Sequence, residues 1–153
     1  MEWLYFTLFL ALLGVGVGYM TYRLVTARCA RVVRRFKQKF GDSLLLVTGC
    51  GVVVGYNRVP GVLALVEDRI FFEEAISGAG GSFALDDIEK IVFEKTWKSR
   101  YKRARKYRKA FALGFHLKYG NLALFVIAEK DHAAWQEALG VGEQSAIGGP
   151  GRG

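Results

Sequence analysis

Residues that build disulfide frameworks and metal sites are scarce in this chain of 153 residues. The two cysteines, Cys29 and Cys50, are too few for the disulfide framework of a small secreted domain. The two histidines have no cysteine or histidine at a metal-binding spacing, so we expect His116 to be a packed or edge strand residue and His132 an exposed helix residue. The sequence therefore predicts no metal site, no cofactor and two reduced, inert thiols, with acylation of Cys29 as the alternative.

Catalytic machinery is also missing from the sequence. No set of nucleophile, base and orienting partner can be assembled from its side chains. Two adjacent carboxylate pairs, Glu73-Glu74 and Asp86-Asp87, fall at strand ends or turns, where solvation and turn chemistry explain them. The glycine-rich stretch 49–55 leads into a proline turn and not into the helix that a dinucleotide site requires. We therefore expect that the protein is not an enzyme.

Charge is absent from one long stretch near the N-terminus. Residues 3–22 contain no Asp, Glu, Lys or Arg, and about 20 such residues in an α-helix span the ~30 Å hydrocarbon core of a bilayer. The pattern predicts a transmembrane signal-anchor helix within residues 1–26. A cleaved signal peptide is the main alternative, but only Glu2 precedes the run and no A-x-A cleavage site follows it.

Basic residues are absent before this stretch and crowded after it. The positive-inside rule therefore predicts a single-pass inner (plasma) membrane protein with its N-terminus outside and its C-terminal domain in the cytoplasm. Within the span, Gly14 and Gly18 form a GxxxG pair, which is either a helix–helix packing face or ordinary membrane-helix glycine.

Residues 27–41 form a predicted basic juxtamembrane segment that continues the membrane helix or bends along the membrane surface. Val32, Val33, Phe36 and Phe40 recur at helical spacing, which is typical of an interfacial helix with its apolar face in the lipid. The cations between them either contact anionic head groups or only fix topology: Arg28, Arg31, Arg34, Arg35, Lys37 and Lys39.

From residue 42 the sequence changes to short apolar runs separated by turn signals, which predict about seven antiparallel strands. We expect a first strand over 43–50, a turn at 57–61 and a hairpin around Asp68. Residues 111–117 alternate apolar and small or polar side chains with a period of two, the clearest strand signal in the chain.

A short helix is predicted at the end of this region, over residues 131–140. Asp131 is its candidate N-cap, and Trp135 and Leu139 share one apolar face. Residues 141–153 form a glycine-rich tail that we expect to be flexible.

The outline of a span followed by a mainly-β unit and a C-terminal helix resembles the pleckstrin-homology (PH) superfold, and more narrowly the GRAM and bacterial PH-like domains. The resemblance covers residues 42–140 and is carried by GVLALVEDRIFFEE (61–74), FALDDIEKIVFEK (83–95) and the helix with Trp135. It implies a PH-like domain that is a membrane-proximal scaffold or ligand-binding module. The phosphoinositide site near the family's first hairpin is not carried over, because that region supplies only Arg58.

A long basic insertion after the fifth strand departs from the family pattern and is the main candidate binding site. Cations alternate with aromatic residues in this stretch, a pattern that suits binding to anionic lipid head groups. The alternatives are binding to an acidic protein partner and a solvated loop that binds nothing. Nucleic acid is not an expected partner, since no recognition motif accompanies the stretch. The candidate residues are Lys95, Trp97, Lys98, Arg100, Tyr101, Lys102, Arg103, Arg105, Lys106, Tyr107, Arg108 and Lys109.

Two functions of different classes are consistent with these patterns. The first is a non-enzymatic scaffold or recruitment module that the anchor holds at the anionic inner leaflet. The second is a small accessory subunit of a larger membrane complex, which packs through its transmembrane helix and its PH-like domain. Membrane lipids and other membrane subunits, or a second copy of the chain, are the expected partners.

Overall fold

The computed structural model describes residues 2–55, 57–96 and 109–141 of the chain. A helix of 39 residues, α1 (Glu2–Phe40), comes first, and a second helix, α2 (His132–Ala138), comes last. Between them lie seven strands: β1 (Leu44–Val54), β2 (Asn57–Val66), β3 (Arg69–Glu74), β4 (Gly80–Ala84), β5 (Ile88–Lys95), β6 (Ala110–Leu117) and β7 (Leu122–Ala128).

Helix α1 is uninterrupted and about 58 Å long, at 1.5 Å per residue. Every residue from 3 to 24 is exposed, and the most apolar 18-residue window has a mean hydropathy of 1.8. One helix near the N-terminus is thus long and apolar enough to cross a membrane. The helix continues past Tyr22 without a break, which agrees with continuation of the predicted span and not with a bend along the membrane surface.

The C-terminal half of α1 packs on the sheet, and this overturns its interpretation as an interfacial helix. Val32 and Phe36 are 4% and 7% exposed, and they contact Val62 and Ala64 of β2. The apolar face that was predicted to meet lipid therefore covers protein. A helix that packs on a sheet and a helix that lies on a bilayer both carry one apolar stripe. The sequence pattern alone therefore does not distinguish them.

The seven strands form one antiparallel sheet in the order β4-β3-β2-β1-β7-β6-β5. Strand β1 pairs with both β2 and β7, so its glycine-rich half lies inside the sheet and not at an open edge. The sheet curls strongly: the rings of Phe83 on β4 and Phe115 on β6 are 5.3 Å apart, whereas five strand spacings in a flat sheet would separate those strands by about 24 Å.

The core lies inside the curl and is closed by α2. Leu113 and Phe115 of β6 and Phe125 of β7 are buried in it, which confirms the predicted alternation over 111–117. Trp135 is fully buried against the same cluster, and Leu139 packs beside it, as the helical spacing predicted. Burying the apolar part of the indole contributes about 2–3 kcal/mol, which is partly offset because its buried Nε1 has no hydrogen-bond partner among the described residues.

One predicted boundary was wrong. Residues 57–61 were expected to be a turn, but they form the first half of β2, and Gly51 pairs with Pro60. The turn lies earlier, at Gly55, whose φ of +58° is a conformation that glycine adopts without steric cost. The hairpin around Asp68 is confirmed, as β2 and β3 pair on either side of it.

Candidate membrane-proximal groove

A groove of about 710 Å³ lies between α1 and the outer face of the sheet, the face opposite the core. It is open to solvent. Its lining comes from α1, from β1, β2 and β7, and from the residues that begin β6: Tyr22, Cys29, Gly49, Cys50, Arg58, Gly61, Lys109, Ala110, Val126, Ile127 and Ala128. We call this the α1–sheet groove.

The groove exists because β1 carries glycine where its outer face would otherwise carry side chains. Cys50 and Val52 belong to the core cluster, so the intervening Gly49 and Gly51 face outward. A Cβ at Gly49 would meet nothing within 4 Å, which shows that the space above it is open. The α1 helix covers the outer face nearby, at Val47.

Arg58 lies across this gap. A Cβ at Gly51 would overlap the Cγ, Cδ and Nε atoms of Arg58, so the arginine stem rests directly on the glycine backbone. The absence of a side chain at Gly51 thus positions a cation along the groove. The resemblance to PH-like domains gave Arg58 no role, and the signal that would have found it is the pair of glycines two apart on the outward positions of a strand.

Lys109 supplies the second cation of the groove, from the position just before β6. It is exposed, and it is the last residue of the predicted basic stretch. Lys95 at the other end of that stretch is exposed at the end of β5, where it pairs with Phe111. The buried Thr96 hydroxyl donates to the Ala110 carbonyl at 3.0 Å and so holds the two ends of the stretch together.

The other members of that stretch lie outside the described residues: Trp97, Lys98, Arg100, Tyr101, Lys102, Arg103, Arg105, Lys106, Tyr107 and Arg108.

Two of the predicted juxtamembrane cations bind the β domain. Arg35 Nη2 lies 2.7 Å from Glu73 Oε1, and Arg28 Nη1 donates to the Ile76 carbonyl at 3.1 Å. The remaining four are exposed on α1: Arg31, Arg34, Lys37 and Lys39. The structure thus divides one basic cluster into two residues that dock the helix and four that face outward.

Both cysteines lie close to the groove, and burial makes both thiols poor nucleophiles. Desolvation raises the pKa of Cys29, which is half-buried, and it raises the pKa of the buried Cys50 to about 12, with a smaller contribution from Cys29. Both thiols are free in the structure. A thiol with a raised pKa holds little thiolate near neutral pH, so neither is primed for acylation or catalysis.

His132 is not the exposed helix residue that we expected. Its ring stacks on Phe111 at a centroid distance of 3.7 Å and meets the edge of Phe93 at 5.3 Å. Burial and the nearby charge of Lys95 lower its pKa. His116 lies in β6 and is half-buried, as predicted for a strand residue. Within the described ranges, no three metal-ligating side chains come together.

No protein-family model matches this sequence, and no curated protein matches it. The fold is similar to that in a crystal structure of the C-terminal domain of an unknown protein from Leishmania infantum. The TM-score is 0.52 at 19% sequence identity, over 72% of this chain and 96% of that one. At this identity the similarity shows the fold alone.

Proposed function

We propose that this chain is a single-pass membrane protein whose β domain is a non-enzymatic scaffold or recruitment module at the anionic inner leaflet. One observation carries the proposal: the apolar part of α1 and the part that packs on the sheet are one uninterrupted helix. Val32 lies only about 15 Å along the helix from Tyr22, where the apolar run ends. The domain would therefore be held at a fixed height against the membrane and not on a loose tether.

The N-terminus would be outside and the domain in the cytoplasm, because the cations cluster on the domain side of the span. The exposed Arg31, Arg34, Lys37 and Lys39 would then lie near the charged leaflet. The mainly-β domain would be PH-like: seven antiparallel strands closed by a C-terminal helix are the outline of that superfold. A rigidly mounted β domain suits recruitment, because it presents the same surface at the same height above the membrane.

The test is extraction of the full chain from its native membrane. Resistance to alkaline carbonate, together with protease access to the domain only from the cytoplasmic side, would support the anchor and its orientation. Release by carbonate, or protection of the domain on the opposite side, would refute the proposal.

An accessory subunit is the second candidate, and the open face of α1 favours it. A Cβ at Gly14 or Gly18 would meet nothing within 4 Å, so this face has room for a second helix. Mild-detergent purification distinguishes the two functions. A fixed set of partners at constant ratio would favour the subunit, whereas a chain that is isolated alone or with copies of itself would favour the scaffold. Gly14→Leu should release a helix partner, while Leu12→Ala on the same helix should not.

A further inference from the structure

We propose that the α1–sheet groove binds the phosphate-bearing head group of an anionic phospholipid from the leaflet next to Tyr22. This inference rests on the membrane anchoring proposed above and goes beyond it, because it names a site and a ligand class. Among the residues of the predicted basic stretch 95–109, Lys109 lines the groove, and the packed face of α1 at Val32 and Phe36 does not.

The position of the groove along α1 supports a ligand that comes from the bilayer. Tyr22 is the last residue of the uncharged run, and it lines the groove together with Cys29, about 10 Å further along the helix. The groove therefore spans the height of the head-group region of a bilayer that the helix crosses. A tyrosine at this height has an apolar ring and a polar hydroxyl, which suit a membrane interface.

The strands that line the groove run alongside the helix. Phe40 packs near Leu44, at the start of β1, whereas Tyr22 shares the groove with Arg58, just after the β1–β2 turn. The β1–β2 turn is thus at the end of the domain closest to the apolar run. Val54 at this turn is 51% exposed, as an interfacial residue would be.

The charges of the groove suit an anion. Two cations line it, Arg58 and Lys109, and among the described lining residues there is no carboxylate. Arginine offers a planar donor array that matches a phosphate, and lysine adds a mobile point charge. Gly51 holds the arginine stem along the groove, so part of the ordering cost of that side chain is already met before a ligand enters.

The size and the apolar wall of the groove suit a head group with its glycerol backbone. A volume of about 710 Å³ lies within the usual range for small-molecule sites. The half-buried Ala110 and Ala128 provide apolar surface beside the cations. A free phosphate would use only the cations and would leave this wall empty, which is why the occupant we propose is a lipid.

The experiment is native mass spectrometry of the full chain in detergent, with equal concentrations of phosphatidylglycerol and phosphatidylcholine. We expect a phosphatidylglycerol adduct about tenfold more abundant than the phosphatidylcholine adduct, since each cation near an anionic lipid contributes a several-fold gain in affinity. The double variant R58Q/K109Q should remove this preference. Gly49→Leu should weaken binding without changing charge, because it fills the open space above β1.

The matched control is K90Q/K118Q, which removes two exposed cations outside the groove. Lys109 comes just before β6 and Lys118 just after it. The control therefore removes the same number of positive charges, one of them at the opposite end of that strand. The control should keep the preference for phosphatidylglycerol. Gly51→Ala should reduce it, since the added Cβ displaces the Arg58 side chain while leaving its charge.

Three results would overturn the proposal. The first is equal binding of the two lipids. The second is the same loss in the control as in R58Q/K109Q, or a loss only in R31Q/R34Q on the helix. The third is displacement of the lipid by soluble glycerol phosphate at equal concentration, which would indicate a phosphate site with no need for a bilayer. Carbonate extraction of the same variants tests anchoring separately, so a failed groove would leave the scaffold proposal standing.

Discussion

The guanidinium of Arg35 on α1 meets the carboxylate of Glu73 on β3 at 2.7 Å, across the interface between helix and sheet. Glu73 is the more buried partner, with 15% of its side chain exposed against 55% for Arg35. The ion pair lies next to the apolar contacts of Val32 and Phe36. Together with the Arg28 contact to Ile76, it fastens α1 at the edge away from the groove.

Removing this ion pair should have a small effect. Arg35→Gln should lower the free energy of unfolding by less than about 1 kcal/mol, because the arginine is mostly in water. The loss should shrink further in high salt, which screens exposed charges. Thermal unfolding of the full chain in a neutral detergent measures it, with Arg34→Gln as a control that changes an exposed cation. A loss above 2 kcal/mol would mean that the helix is docked mainly by charge.

Apolar packing should dominate the docking of the helix. Phe36→Ala should cost about 3–4 kcal/mol, because a nearly buried ring is lost from the contact with β2. Hydrogen exchange in residues 29–40 should speed up in the same variant. Lys37→Ala, one position along on the exposed face, should leave both measurements near those of the unaltered chain. If the two variants behaved alike, the packed helix–sheet interface would be wrong.

The Thr48 hydroxyl donates to Asp131 Oδ2 at 2.7 Å and ties β1 to the start of α2. Asp131 occupies the N-cap position that the sequence predicts, but its side chain accepts from Thr48 and not from the helix backbone. Thr48→Val, which keeps the shape, should cost about 1–3 kcal/mol, since a hydrogen bond to a charged group is lost. Thr48→Ser should retain most of the stability, because it keeps the hydroxyl. Urea titration compares the two, and equal stabilities would show that the hydroxyl contributes nothing.

Stability should fall as the pH drops below the ordinary histidine pKa of 6.5. Burial and Lys95 lower the pKa of His132 in the folded state, whereas Glu129 opposes them weakly. Between the two pKa values the unfolded chain binds more protons, so stability rises with pH through this window and is lost below it. His132→Gln should flatten the dependence of stability on pH. Thermal unfolding between pH 5 and pH 7 measures it, because this range brackets the ordinary histidine pKa of about 6.5. An unchanged slope would assign the effect to other groups.

Much of the fold could be predicted because its signals are local. The alternation at Leu113 and Phe115, and the helical spacing of Trp135 and Leu139, each follow from one element and one buried face. The turn was wrongly predicted at 57–61 because asparagine and proline are local turn signals. Pairing with β1 overrode that local signal, since β1 continues to Val54 and leaves Gly55 as the turn.

The groove could not be predicted, because its parts are distant in sequence. Tyr22, Arg58 and Lys109 come from three elements, and only the strand order and the docking of α1 bring them together. The glycines of β1 were visible in the sequence but not the face on which they lie. A one-residue change in register would move them into the core and close the groove.

The sequence by itself determined that the chain begins with a long uncharged helix followed by a cluster of cations, because length, hydropathy and charge need no tertiary contact. It also determined an antiparallel β unit closed by a short helix. Only the tertiary structure decided what the basic half of α1 covers. Lipid and protein can both bury the apolar stripe of a helix, and both remove it from water. In this protein the outer face of β2 buries it.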